Sequence, residues 1–399
     1  MRTIVRIVCL MLAVWLTAGA SARAGGVVKV GVILPFSGQG AELGDEMDKA
    51  IRLYLKEHGK DLGDTTIEVI RRDSTGPNPD IARRLAQELV TREKVNILAG
   101  FVFTPNANAV APLVTEAKMP LVIMNATGAA TTSLSPYIVR TSFTKWQQVY
   151  PFGDWVARHG IKTVYFAVSD YTPGHESIAA FTKSFTAAGG SIVGDLRMPL
   201  STRDFAPFLQ RIKDAKPDAI YIFTPGGKDA TALIRAYVQL DLAGAGIKII
   251  GAADLLPDDE LPHMQGLQEG VISVGQYSIA GDRPANKAFL AGWRRDYGPD
   301  SVPDGYAVGA WDGMAAIFDA VKKQNGKIDP DRTMELLKHW RSDDSPRGPV
   351  MIDPETRHIV QNMYIRRLQN VNGRMENVEI ETIPMVKDPW PQFNGSASN

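Results

Sequence analysis

The residues with the strongest claim to chemistry form a glycine-rich turn, Gly38-Gln39-Gly40-Ala41-Glu42-Leu43-Gly44, which follows a strand-like run and opens a helix-like one. In that setting glycines let a backbone cradle the phosphates of a dinucleotide. The spacing argues against that use. The last glycine falls one residue late for G-x-G-x-x-G, and Pro35-Phe36-Ser37 lengthens the turn. Asp73, the nearest acid at a following strand end, lies well past the ~20 residues expected. A loop lining a ligand cleft fits the pattern better. Hydrolytic signals are weaker still: there is no G-x-S-x-G, and the six histidines (58, 159, 175, 263, 339 and 358) form no H-x-x-x-H pair that would hold a metal. Asp258-Asp259 and Asp343-Asp344 fall in polar turns and read as solvated loop carboxylates.

Binding chemistry is better supported. Phe103-Thr104-Pro105-Asn106 follows the strand-like Val95–Leu98 and begins a helix, with Thr104 as the expected N-cap and Pro105 in the first helical position. The free amides from Asn106 onward would then offer a carboxylate the positive end of the helix dipole. A second small polar turn, Asn125-Ala126-Thr127, follows the strand Pro120–Met124. Parallel strands that end in such turns place both at one carboxyl edge, where open α/β sheets bind ligands. Asp170-Tyr171-Thr172-Pro173-Gly174 would supply the opposing wall.

These turns need strands and helices to hold them, and the chain alternates the two. Val27–Leu34, Thr66–Ile70, Val95–Leu98 and Pro120–Met124 read as strands, separated by helical spacing at 42–55, 80–90 and 107–117. The pattern begins again at Trp146, with strands Val164–Val168, Ala219–Phe223 and Ile247–Ile250 and helices at 176–188, 205–213 and 229–238. Continuous apolar strands between amphipathic helices imply parallel sheets covered on both faces, an α/β protein of two similar blocks. Helices at 286–295, 306–322 and 332–339 follow, then a β-hairpin from Val350 and His358–Arg367, and a tail from Asp388 expected to be disordered.

Composition fits export. Arg2 and Arg6 precede the apolar run 7–15, and Ala22-Arg23-Ala24 is a small-residue cleavage site, so residues 1–24 read as a signal peptide that directs the protein to the periplasm. The single cysteine, Cys9, leaves with it, so the mature chain has no disulfide and no thiol chemistry. Removing Arg2, Arg6 and Arg23 leaves 41 basic residues against 44 acidic ones, with no basic stripe for nucleic acid.

In this order, Gly31-Val32-Ile33-Leu34-Pro35-Phe36-Ser37-Gly38 with Ala41 and Gly44, Asp73, Leu89-Val90 through Gly100, Asn125-Ala126-Thr127, Asp170-Tyr171 with Gly174, and Arg203-Asp204-Phe205 resemble the type I periplasmic binding proteins of ABC importers, in the leucine/isoleucine/valine-binding branch. The resemblance runs over nearly the whole mature chain. It implies two lobes, 25–144 with 277–346 and 145–276 with 347–387, each a mainly parallel sheet flanked by helices. Three hinge crossings near Thr144, Tyr277 and Arg347 would join them, with 388–399 as a tail. It also implies a solute held by Thr104, Ala126 and Thr127 at its carboxylate and by Tyr171 from the second lobe. The acidic residue that pairs a solute's ammonium group in the family's amino-acid binders falls on Ala252 or Ala253, with Asp254 one residue on, and a second tyrosine position falls on Pro225-Gly226-Gly227. An ammonium group buried without its partner is costly. Pro105-Asn106-Ala107, the 171–174 turn and the stretch 347–353 look like the branch that takes benzoates and hydroxycinnamates, and Phe103 stands where amino-acid binders tend to have a smaller residue. The resemblance therefore implies an aromatic acid, its ring on Phe103, Tyr171 or Tyr277, with Asp254, Gln276 or Lys228 for a ring hydroxyl. No cofactor, metal or covalent chemistry is implied. The partners are a small-molecule carboxylate and an ABC permease in the inner membrane, the protein itself being a monomer. The alternatives are a branched-chain amino acid or amide ligand, or a sensor that hands its closed form to a receptor kinase.

Overall fold

A computed structural model describes residues 26–394. The expected signal peptide, 1–24, and the last five residues of the tail lie outside the described residues. The first sheet contains β1 (Val27–Leu34), β2 (Thr66–Asp73), β3 (Ile97–Gly100), β4 (Leu121–Ile123) and β5 (Ile138–Arg140), all parallel, in the order β2-β1-β3-β4-β5. The second contains β6 (Thr163–Ser169), β7 (Ser191–Met198), β8 (Ala219–Phe223), β9 (Lys248–Ala252) and β10 (Ile272–Gly275), parallel in the order β7-β6-β8-β9-β10. The two orders are the same topology written twice. Each reverses direction between its first and third strands, the switch point at whose carboxyl edge this sheet type binds ligands.

The crossover helices are α1 (Ala41–His58), α2 (Pro79–Thr91) and α3 (Thr104–Glu116) in the first lobe, then α4 (Lys145–Arg158), α5 (Thr172–Ala187), α6 (Ala206–Ala215) and α7 (Gly227–Gln239) in the second. After β10 the chain returns to the first lobe with α8 (Pro284–Tyr297), α9 (Gly305–Lys323) and α10 (Pro330–Lys338). It then crosses back as β11 (Arg341–Ser342), β12 (Val350–Ile352), β13 (Ile359–Val371) and β14 (Arg374–Val386), antiparallel additions to the second sheet. The chain thus passes three times between the sheets. Arg347, wholly buried, ties two of these passages: its guanidinium bonds Asp312 of α9 at 2.7 Å and the carbonyls of Ser142 at 3.0 Å and Thr141.

Three elements differ from the sequence expectation. The strands β7 and β14 carry charged residues on their exposed faces, which masks their apolar alternation. The long hairpin is β13–β14, turned at Asn372 and Gly373 with φ of 53° and 86°, the Asn-Gly geometry that suits a two-residue turn. The tail is ordered where it is described: Trp390–Asn394 is a short helix, α11, and Phe393 stacks on Trp146 at 5.5 Å. Aromatic residues that find a partner 250 residues away outweigh the polar composition around them.

The glycine turn also finds its explanation here. Gly38 and Gly40 hold positive φ, and a Cβ on Gly44 would lie 1.8 Å from the carbonyl of Pro35. Gly174 in α5 stands in the same relation to Ser169, at 2.1 Å. In each lobe the glycine lets the helix that follows the first strand press on that strand's end. Asp73 completes this turn, accepting from the Phe36 and Thr75 amides at 2.8 Å and from the Ser37 hydroxyl at 2.6 Å. Burial opposes its charge, but these bonds outweigh it and hold the carboxyl below its ordinary value.

Gly44→Ala and Gly174→Ala should each cost at least about 1–3 kcal/mol in urea unfolding, because the contact is with backbone that cannot step aside. Gly59→Ala, where φ is −54° and no atom lies within 4 Å of the added methyl, should be neutral or stabilise by up to about 1 kcal/mol.

Candidate functional site

The two carboxyl edges face each other and the lobes touch across the cleft. Gln39, in the first-lobe turn, donates to Asp229 at 2.9 Å and to the Leu200 carbonyl at 3.0 Å in the second lobe. The Ala129 amide donates to the Glu176 carboxylate at 3.0 Å, and the Tyr306 hydroxyl of α9 donates to the Pro225 carbonyl at 2.6 Å. This is a closed form.

Phe103, Thr104, Ala126 and Thr127 lie at the first lobe's edge, all nearly fully buried. Phe103, not Thr104, is the N-cap, with extended backbone and no capping side chain, so Thr104 and Pro105 open the helix one residue earlier than expected. The Asn106 and Ala107 amides both donate to the Phe103 carbonyl, so the free amides expected from Asn106 onward are already engaged there. Thr104 compensates: its hydroxyl accepts from the Gly128 amide at 3.1 Å and keeps its own proton to donate. That bond joins the two turns. The Phe103 ring packs on Gly40, where an added Cβ would meet it at 3.0 Å, so it belongs to the first-lobe wall.

Opposite, Tyr171 stacks on Phe223 with ring centroids 5.8 Å apart. Asp254 and Tyr277 line one small cavity with Phe143, Gln276, Tyr306 and Arg366. Tyr277 is fixed by its hydroxyl to Asn286 at 2.8 Å. Gly226 makes room for Tyr306 of the first lobe, since a Cβ there would lie 2.3 Å from its hydroxyl, and Gly227 makes room for Glu42, at 2.6 Å. Lys228 is exposed and outside this cavity. A larger groove of about 640 Å³, lined by Tyr237, Ile247, Leu267 and Val271, lies at the amino ends of β9 and β10, the wrong end of the sheet for a switch-point site.

The residue that sequence reasoning missed is Lys145. It is wholly buried in the first turn of α4, with its ammonium 4.5 Å from the Phe223 ring centroid and 5.0 Å from that of Phe143. It bonds the Asp254 carboxylate, and the Gln148 side chain at 3.0 Å. The Tyr306 hydroxyl, whose proton goes to the nearer Pro225 carbonyl, stands 3.2 Å from the other Asp254 oxygen. Burial pulls the Lys145 pKa down, and the Asp254 charge opposes it. A cation at a helix N-terminus works against the helix dipole, so a lysine there implies a committed partner. Glu176 was also unforeseen. Burial pushes it up to about 8 from an ordinary 4.5, against the Ala129 amide and the charges of Arg140 and Lys145.

Comparison with known proteins agrees with this geometry. Residues 27–374 match the family described as periplasmic binding protein. The chain belongs to the periplasmic binding protein family. It is similar to the Leu/Ile/Val-binding protein homolog 6 of Brucella melitensis biotype 1, with 41% identity over 93% of this chain and 95% of that one. It is similar to the solute-binding protein of an ABC transporter from Rhodopseudomonas palustris BisB5, solved with 3,4-dihydroxybenzoic acid: 45% identity, TM-score 0.88, covering 91% of this chain and 99% of that one. An R. palustris solute-binding protein solved with 4-hydroxybenzoate is 42% identical, with a TM-score of 0.87 over 91% of this chain and 98% of the other. The fold is therefore the two-lobe type I architecture, and the family implies a periplasmic, ligand-binding component of an ABC transporter. No helix among the described residues is long and apolar enough to cross a membrane.

Two outcomes follow for this binding protein. Lys145→Met strands the Asp254 charge in the interior and should cost about 3–5 kcal/mol in urea unfolding, and adding Asp254→Leu should recover most of that loss. Purely additive losses would show that the two side chains are not coupled. For Glu176, the closed form holds a proton between about pH 4.5 and 8 that an open, solvated carboxylate releases. Closure is therefore favoured at low pH and weakens as pH rises through this window. Solute affinity measured by calorimetry from pH 5 to 8.5 should fall as pH rises, and Glu176→Gln should flatten the fall.

Proposed function

We propose that this chain is an exported receptor that captures a small aromatic carboxylate, of the benzoate or hydroxycinnamate type, and delivers it to an ABC permease in the inner membrane. One observation carries the reading: Asp254, the acid best placed to receive an amino acid's ammonium group, is already paired with the chain's own Lys145. The relatives solved with hydroxybenzoates support the same ligand class. The carboxylate is assigned to the Thr104 hydroxyl and the 126–127 turn, and the ring to the space beside Tyr171 and Tyr277 in the wall that Phe103 backs. A ring hydroxyl is assigned to Gln276 or to the Asp254 pair.

No covalent step is required. The solute binds the closed arrangement better than the open one and shifts the population of the lobes, 25–144 with 277–346 and 145–276 with 347–387, about hinges near Thr144, Tyr277 and Arg347. The signal peptide is removed after about Ala24, and the closed monomer docks on the permease.

A thermal-shift screen of the exported protein tests the ligand class. At a thousandfold excess over Kd a ligand adds about 4 kcal/mol to the folded state, a rise of several degrees. 4-Hydroxybenzoate or a related benzoate or cinnamate should give that rise, and acetamide and the branched-chain amino acids should not. A shift with leucine alone would overturn the assignment.

A further inference from the structure

Three carboxylates that the solute chemistry leaves unused meet where the lobes touch. Glu46 lies on the buried face of α1, Asp304 caps α9, and Asp259 belongs to the second-lobe loop after β9. One oxygen from each lies within 4.8 Å of the others. The sequence expectation of solvated carboxylates at 258 and 259 is overturned: Asp258 is buried and accepts from Asn377 at 2.7 Å, and Asp259 is only partly exposed.

The oxygens that face this cluster are unsatisfied. Glu46 is 7% exposed, yet neither of its oxygens has a hydrogen-bond partner. Asp304 spends Oδ1 on the Tyr306 and Ala307 amides, at 2.7 and 3.3 Å, and leaves Oδ2 bare. Asp259 Oδ1 is bare as well. No cationic side chain among the described residues pairs with the three. Lys49 bonds Asp45 at 2.7 Å, and Arg366 bonds Ser273 and the Tyr277 carbonyl and leaves one buried guanidinium nitrogen without a partner, yet forms no ion pair with Glu46, Asp259 or Asp304. Asp254, Asp258 and Glu260 add negative charge. A buried carboxylate without hydrogen bonds is among the costliest groups a fold can hold, and three together call for neutralisation, by a cation or by protons.

We propose that Glu46, Asp259 and Asp304 bind a hard divalent cation, Ca²⁺ before Mg²⁺, that bridges the two lobes in the closed form. The donors are all carboxylate oxygens, which suit hard cations. Oxygens at about 2.3–2.6 Å from Ca²⁺ can stand up to about 5 Å apart, whereas Mg²⁺ requires the set to contract to about 4.2 Å. Water completes the shell from the side of Asp259. Two donors are fixed on first-lobe helices and the third arrives with the second lobe, so the site is complete only on closure and the cation favours the closed state. The proposal rests on that closure and not on the class of solute.

The test uses protein purified from the periplasm, stripped with EDTA, and no organic solute. CaCl₂ should raise the melting temperature saturably, by roughly 3–5 °C at a hundredfold excess over Kd. MgCl₂ should do less, and KCl of matched ionic strength nothing. Glu46→Gln and Asp304→Asn, which keep shape and, at 304, a capping oxygen, should lose the response. A Ca²⁺ response unchanged in both variants, or no response beyond KCl while Glu46→Gln raises the melting temperature, would overturn the proposal; the second result would mean that protons hold the cluster. Repeating the titration with 4-hydroxybenzoate separates the two readings. A Ca²⁺ shift without a benzoate response leaves the cation site standing and removes the solute class, and the reverse removes only the cation.

Discussion

The ammonium of Lys145 lies in the interior between the Phe143 and Phe223 rings, and it can stay charged there because Asp254, Gln148 and two aromatic faces replace the water it has lost. Both halves of the cleft are built to accommodate that pair. Lys145 opens the helix that follows the first passage between the lobes, Asp254 lies in the short turn just after β9 of the second sheet, and Tyr306 of the first lobe sets its hydroxyl beside the remaining carboxylate oxygen. Remove one member and a charge is left buried and alone. In the proposed reading the same pair sets the chemistry offered to a solute. The acid is neutralised from within, so the cleft presents hydroxyls, amides and aromatic faces, a surface suited to a planar acid.

That pair is held in place by topology used twice. Each lobe winds its parallel strands in the same order, and each aims its switch point at the other. Gly44 and Gly174 let the helix after the first strand of each lobe sit directly on that strand's end, which fixes the turns carrying Gln39 on one side and Tyr171 on the other. Behind the cleft, Arg347 bonds the first passage and α9 at once. A buried polar joint therefore links the lobes behind the cleft, and the proposed binding falls to their facing edges.

Much of this was legible in the chain. Apolar strands between amphipathic helices marked parallel sheets, and the misplaced third glycine of the 38–44 turn separated a cleft loop from a dinucleotide site. The absence of an acid directly after Ile250 raised the question that Lys145 answers. Lys145 itself was not legible, because it stands 109 residues from Asp254 and nothing local marks it as buried beyond its awkward place at a helix start. The one-residue shift at Thr104 reflects a competition between two capping schemes that only the packing of Phe103 on Gly40 decides. The α11 helix depends on Trp146, far away in sequence. The carboxylates at 46, 259 and 304 come from three separate segments, each ordinary alone, and only the meeting of the lobes makes them unusual.

The central claim is that Lys145 occupies the position an amino acid's ammonium group would need. Calorimetric titration of leucine into the native protein and into Lys145→Ala tests it most directly. The account predicts no measurable binding to the native protein and a gain of leucine binding in the variant, where Asp254 is released. Leucine bound tightly by the native protein, or bound equally by both, would contradict it.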